Sequence, residues 1–185
     1  MDEKASVPIG VPDQGTLREV LLEPDAARAQ AREGTPTKRI WALCQLGRLN
    51  DAAAEAEELL AGSDNRFGPL LLLAHIYQCQ YRWDEAAWLQ GEALRLARTP
   101  SAEAGVHHHT GRRLLEEGRH LEAAQEFEWA AALHRSAGSP DAEIAAARQA
   151  MRLAYRLAHL NTFDDERTGN LPATTDPKHT KTSPA

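Results

Sequence analysis

Cysteine and histidine supply the one pattern in this sequence that could bind a metal ion. His75 and Cys79 stand four residues apart, which places both on one face of a helix. His108 is a candidate third ligand, and Cys44 a further one. An imidazole combined with thiolates suits Zn²⁺ or another borderline ion. The spacing predicts a metal set of His75, Cys79 and His108, and leaves open the alternative of partly buried cysteines and surface histidines.

Three consecutive histidines, His107 to His109, are a weaker pattern. Consecutive helical residues diverge by about 100°, so at most two of the three can face one ion.

Catalytic patterns are weaker still. Either cysteine could pair with His75 or His108, but the sequence offers no recognisable orienting group or oxyanion-hole turn for a nucleophile. It also has no glycine-rich phosphate loop. We therefore expect a protein that is not an enzyme and needs no cofactor.

Composition excludes several other classes. The chain has 185 residues, a formal net charge of -6 and 42% hydrophobic residues. An acidic balance argues against a protein that binds nucleic acid through its phosphates. The longest apolar run, residues 70–74, is far shorter than a membrane span, and the charged N-terminus does not resemble a signal peptide. With two cysteines in the whole chain, we expect a cytoplasmic protein with no membrane partner.

Helix-start and helix-stop residues punctuate the chain. Thr16 and Glu19 form a capping box that predicts a helix, and Pro24-Asp25 starts a second helix that ends near Gly34. Prolines after Thr35 and Thr99 suit first helical turns, and no segment alternates with a period of two. The pattern predicts an all-α fold with seven further helices, at 36–46, 50–61, 68–81, 84–98, 101–117, 120–136 and 140–160.

These signals also divide the chain. We expect a flexible lead at 1–15, N-terminal helices at 16–34, a helical domain at 35–160 and a disordered tail at 161–185. The tail is rich in threonine, proline and charge, so it cannot offset the entropy lost on ordering.

An internal repeat is the strongest pattern in the sequence. A helix end, an arginine, an apolar or aromatic residue, two residues of which at least one is acidic, and an alanine recur at 47–52, 81–86 and 118–123. The alanines Ala52 and Ala86 lie 34 residues apart, and Ala123 follows 37 residues later. A repeat of that length is typical of stacked helical hairpins.

Over about residues 35–137 the chain resembles the tetratricopeptide-repeat (TPR) family, in the irregular form seen in bacterial signalling proteins. Ala74 and Tyr77 match small and aromatic positions of the second repeat, and Gly111, Phe127 and Ala130 match those of the third. The first repeat departs from the pattern, and no repeat keeps the tryptophan of the first helix. The resemblance implies a right-handed α-solenoid of about three hairpins with N-terminal and C-terminal capping helices.

The same resemblance assigns a partner-binding groove to the first helix of each hairpin. The residues that it implies are Trp41, Gln45, His75, Gln78, His108, Arg112 and Glu116. Trp41 would be a flat apolar anchor, Arg112 would bind a carboxylate, and the amides with Glu116 would bind a peptide backbone. The alternative is that Trp41 packs on the preceding helix and the polar residues are merely solvated.

We therefore expect a cytoplasmic adaptor that binds a protein or peptide partner in this groove. A regulatory module for a small ligand or metal ion is the alternative, and an enzyme ranks third. The sequence does not identify the partner or the oligomeric state.

Overall fold

The computed structural model describes residues 10–13, 15, 17 and 19–168. Within them the chain is helical apart from one short antiparallel ladder. The elements in order are β1 (Gly10–Pro12), β2 (Glu19–Leu21), α1 (Pro24–Glu33), α2 (Pro36–Gln45), α3 (Leu49–Ala61), α4 (Phe67–Cys79), α5 (Trp83–Leu96), α6 (Pro100–Glu116), α7 (His120–Ser136) and α8 (Asp141–Thr168).

The predicted all-α class is confirmed for these residues. The seven helices from α2 to α8 each begin within one residue of the predicted start. Local chemistry explains this accuracy: Pro36 and Pro100 occupy first turns, and the Thr99 hydroxyl accepts a hydrogen bond from the Ala102 amide at 3.1 Å. None of the described helices has both the length and the hydropathy to cross a bilayer.

The helix predicted from the Thr16–Glu19 capping box is wrong. Glu19–Leu21 instead forms β2, which pairs with β1 so that Val11 lies opposite Val20. Leu17 has a φ of 57°, which no right-handed helix accommodates. Pro24 also holds Glu23 outside the helical region, with φ -122° and ψ 79°. A helix this short would form too few hydrogen bonds to offset the free-energy cost of its nucleation, so the segment pairs with β1 instead.

The C-terminal boundary also differs from the expectation. Helix α8 continues to Thr168, eight residues past the predicted end at 160. The rest of the predicted tail, 169–185, lies outside the described residues, as do residues 1–9 of the predicted lead at 1–15. The expectation of a flexible lead is wrong for residues 10–12, which form β1.

The three turns at the aligned repeat positions share one geometry, which recurs at Gly138 (φ 66°) between α7 and α8. Gly47, Tyr81 and Gly118 have φ values of 73°, 60° and 80°. In each turn the next amide bonds back to the carbonyl five residues earlier at 2.9 Å, from Arg48 to Leu43, from Arg82 to Tyr77 and from Arg119 to Leu114. This is the Schellman motif that satisfies the last carbonyls of a helix.

The alanines that follow these turns also occupy like settings. Ala52, Ala86 and Ala123 are fully buried, on α3, α5 and α7. Each amide donates to the arginine carbonyl four residues earlier, at 2.9–3.0 Å. The aligned positions of the internal repeat are therefore equivalent in the folded chain.

Each helix packs on the next in sequence, and α4 also contacts α6. One apolar cluster lies mainly between α2, α3, α4 and α5, and a second between α6, α7 and α8. The contact of α4 with α6 brings alternate helices together, and α2, α4 and α6 converge on one cavity.

Candidate functional site

A cavity of about 160 Å³ opens where α2, α4 and α6 meet. Its lining combines two thiols, an imidazole, an amide, a phenol, a guanidinium and a carboxylate. These groups belong to Cys44, Gln45, His75, Cys79, Tyr81, Arg112 and Glu116. The spacing of four residues within α4 and within α6 puts each pair on one helix face. Four of the seven predicted groove residues, Gln45, His75, Arg112 and Glu116, are brought together here.

The two cysteines and His75 form a cluster at this cavity. The Cys44 thiol donates to Cys79 Sγ at 3.9 Å, and Cys79 Sγ lies 3.7 Å from His75 Nε2. All three ligand atoms lie within 4.8 Å of one another. His75 is 5% exposed and Cys44 9%. The hydrogen bond from Cys44 lowers the pKa of Cys79 to about 4, against the raising effect of burial and with further lowering by His75 and Arg112.

His108 does not belong to this cluster, so that part of the predicted metal set is wrong. It lies one helical turn before Arg112 on α6, and its ring meets the Phe127 ring edge-on at 5.3 Å. Burial lowers the pKa of His108 to about 4. Its place among the ligand atoms is taken by Cys44, which the sequence offered only as a further candidate.

Trp41 packs as part of the cavity's support. Its ring lies 4.8 Å from the His75 ring, tilted by 37°, and it contacts the first apolar cluster. A tryptophan so placed fixes the plane of the imidazole and is only partly available to a partner.

Gln78 faces inward, not into the groove as predicted. It is 1% exposed, and its Nε2 donates to Glu116 Oε1 at 2.7 Å. The bond joins α4 to α6 and fixes the carboxylate of Glu116 at the cavity wall. Gln78 therefore acts through Glu116.

Arg112 lines both this cavity and a second one of about 230 Å³. The second cavity is lined by Asp13, Leu17, His108, Arg112, Ala146, Gln149 and Ala150. Arg112 Nη2 donates to the main-chain carbonyl of Leu17 at 2.9 Å. The buried Arg112 Nε has no hydrogen-bond partner within the described part of the chain. A segment from the N-terminal side thus lies against the predicted groove.

Sequence reasoning missed Tyr81, Asp13 and Leu17. A signal for Tyr81 exists in the repeat, where it aligns with Gly47 and Gly118 and so takes a left-handed conformation that favours glycine. Its side chain lines the first cavity and meets the Trp83 ring edge-on at 5.4 Å. Asp13 and Leu17 carry no comparable signal, because their role depends on how the N-terminal segment lies on the helices.

The arrangement supports two kinds of chemistry. Arg112 with the amide and carboxylate groups around it can bind main-chain and carboxylate groups, and the thiol–imidazole cluster can bind a soft or borderline metal ion. Comparisons with protein-family models, with curated proteins and with solved structures found no match to this chain.

Proposed function

We propose that the chain is a TPR-like adaptor, a right-handed solenoid of three hairpins that binds an extended segment of a partner protein and catalyses no reaction. The hairpins are α2–α3, α4–α5 and α6–α7, with α1 and α8 as caps. The repeated turns at Gly47, Tyr81 and Gly118, and the buried alanines that follow them, support the repeat. The contact of α4 with α6 supports the stacking of first helices along a common face.

The hydrogen bond between Arg112 and the Leu17 carbonyl carries the proposal. It is a groove arginine binding the main chain of a non-helical segment, which is the contact that an extended peptide requires. The unpartnered Nε of Arg112 supplies a further donor on the same guanidinium, within the described residues. In recognition of this kind, hydrogen bonds to the partner's main chain contribute affinity, and contacts of its side chains with the surrounding pockets determine specificity.

Preorganisation is the mechanism. Gln78 fixes Glu116 and Trp41 supports His75, so the cavity walls are set before a partner arrives. A rigid wall loses little conformational entropy on binding, so more of the contact energy contributes to affinity. The N-terminal segment would yield its place beside Arg112 to the incoming chain.

The test compares partners captured from native extracts by three versions of the full chain. We expect Gln45→Ala/Arg112→Ala to lose the partners that the wild-type chain retains, because both side chains line the proposed groove. The matched control is Trp88→Ala on α5, whose side chain is 62% exposed and which is the main rival contact surface. Circular dichroism of each variant confirms that the helices are intact.

Two results would contradict the proposal. One is retention of the same partners by the groove variant. The other is loss of partners by Trp88→Ala alone, which would move the binding surface to α5.

A further inference from the structure

We infer that Cys44, His75 and Cys79 form a zinc-binding site whose fourth coordination position faces the cavity between α2, α4 and α6. The inference stands whether or not the cavity binds a peptide.

The distances between the ligand atoms fit one tetrahedral ion. With Zn–S near 2.3 Å and Zn–N near 2.0–2.1 Å, two sulfur ligands lie about 3.8 Å apart and a sulfur and a nitrogen about 3.6 Å apart. The observed separations are 3.9 Å between Cys44 Sγ and Cys79 Sγ, and 3.7 Å between Cys79 Sγ and His75 Nε2. The third pair lies within 4.8 Å, so a side-chain adjustment of about 1 Å completes the set.

The helices that carry these ligands make the cluster rigid. His75 and Cys79 share one face of α4, and Cys44 is the penultimate residue of α2. Their neighbours Leu43, Ala74 and Ile76 are at most 3% exposed. The ligands are thus held close together by the packed core and need not be assembled from a loop.

The chemistry of the donor set selects the ion. Two thiolates and an imidazole suit Zn²⁺, whereas Mg²⁺ and Ca²⁺ require oxygen ligands. Two thiolates also balance the charge of a divalent ion, so Arg112 at the cavity wall does not face an uncompensated cation. Three protein ligands with an open fourth position is the pattern of zinc sites that accept water or an incoming group.

A disulfide is the main competing fate of the two cysteines. It requires an S–S distance near 2.0 Å and makes no use of His75. The position of the His75 Nε2 atom, beside Cys79 Sγ and on a ring supported by Trp41, favours the metal.

The test uses the full chain, reduced and freed of metal with a chelator, and titrated with Co²⁺ as a spectroscopic substitute for Zn²⁺. We expect one equivalent to bind, with thiolate-to-cobalt charge-transfer absorption and the intense visible bands of tetrahedral cobalt. Added Zn²⁺ should displace the cobalt and raise the thermal midpoint by about 5–10 °C at a hundredfold excess over Kd.

Variants locate the site. Cys79→Ser and His75→Gln should each weaken binding at least about tenfold, since each removes one of three ligands. His108→Gln is the matched control, because His108 lies outside the cluster, and it should bind like the wild type. X-ray absorption at the zinc edge of the wild-type protein gives an answer that does not depend on any variant folding, with two sulfur neighbours expected.

The inference is overturned if the zinc-edge spectrum shows no sulfur ligand or if cobalt binds without charge-transfer absorption. It is equally overturned if Cys79→Ser, folded by circular dichroism, binds like the wild type. Formation of a Cys44–Cys79 disulfide in the presence of one equivalent of zinc, detected by mass spectrometry, would assign the pair to redox chemistry instead.

Discussion

At the scale of single residues, the three consecutive histidines of α6 occupy two kinds of environment. The His107 ring lies 2.7 Å from the Glu126 carboxylate, and this hydrogen bond raises the pKa of His107. Burial lowers the pKa of His108 to about 4 and that of His109 to about 3, and Arg112 adds to both effects. Neighbours in sequence therefore respond to acid in opposite directions.

These shifts predict how stability depends on pH. As pH falls below 6.5, the unfolded chain protonates His108 while the folded chain does not, so stability falls until pH reaches the folded pKa of about 4. Between pH 7 and pH 5, we expect His108 alone to remove about 2 kcal/mol of the free energy of unfolding. The His107 contribution has the opposite sign: it is fully present below pH 6.5 and is lost as pH rises through the raised pKa of its folded state.

Urea unfolding at pH 7 and pH 5 checks both signs. His108→Gln should flatten the loss of stability on acidification, and His107→Gln should steepen it. Equal pH dependence in the two variants would show that the environments assigned to these rings are wrong.

Gly111 has a steric role. A Cβ there would lie 2.8–3.0 Å from three ring atoms of Phe127, which is fully buried. Gly111→Ala should therefore destabilise the chain by about 1–3 kcal/mol, although alanine normally favours a helix by about 1 kcal/mol. Gly105→Ala on the same helix is the matched control, because nothing lies within 4 Å of its Cβ, and it should stabilise. Chemical unfolding measures both, and a stabilising Gly111→Ala would contradict the close approach of α6 and α7 at this position.

At the scale of helices and turns, residues with a left-handed conformation connect α2 to α3, α4 to α5 and α6 to α7. Gly118 has a φ of 80° and an open Cβ position, so Gly118→Ala should cost about 1 kcal/mol through backbone strain alone. Tyr81→Gly removes the same kind of strain but loses the ring contact with Trp83, so its net effect on the unfolding free energy should be within about 1 kcal/mol. Thermal unfolding of the two variants compares them, and a Tyr81→Gly variant destabilised more than Gly118→Ala would refute this account of the turn.

Helix positions were predictable because their signals are local. Helix starts are marked by Pro36 and Pro100, and helix ends by Gly47 and Gly118. Each of these residues acts through its own backbone conformation, independently of the rest of the chain. The capping box at Thr16 failed for the same reason, since a local signal carries no information about pairing between β1 and β2.

The site was predictable only in part. The resemblance to a repeat family named Gln45, His75, Arg112 and Glu116 among the groove residues, and all four line one cavity. It could not give the rotation of each helix, which turns Gln78 inward and directs His108 toward Phe127. Contacts from outside the repeat, such as the hydrogen bond between Arg112 and the Leu17 carbonyl, depend on tertiary structure. They produce no periodic pattern in the sequence.

At the scale of the whole molecule, α2, α4 and α6 line one cavity, and Leu17, which precedes α1, already contacts Arg112 at its wall. Arg112 lines this cavity, beside the thiol–imidazole cluster, and a second one beside α8. A partner segment that passes from one cavity to the other would meet Arg112 midway. We therefore propose that a partner binds the face formed by α2, α4 and α6, and not the face that carries Trp88.

Site-specific photocrosslinking in the native cell tests that claim most directly. A photoreactive amino acid is placed at Gln45 in one full-length version and at Trp88 in another, and adducts are identified by mass spectrometry. We expect covalent adducts with a partner protein from position 45, reduced by the Arg112→Ala substitution, and none from position 88. Adducts from position 88 alone, or adducts from position 45 that persist without Arg112, would contradict it.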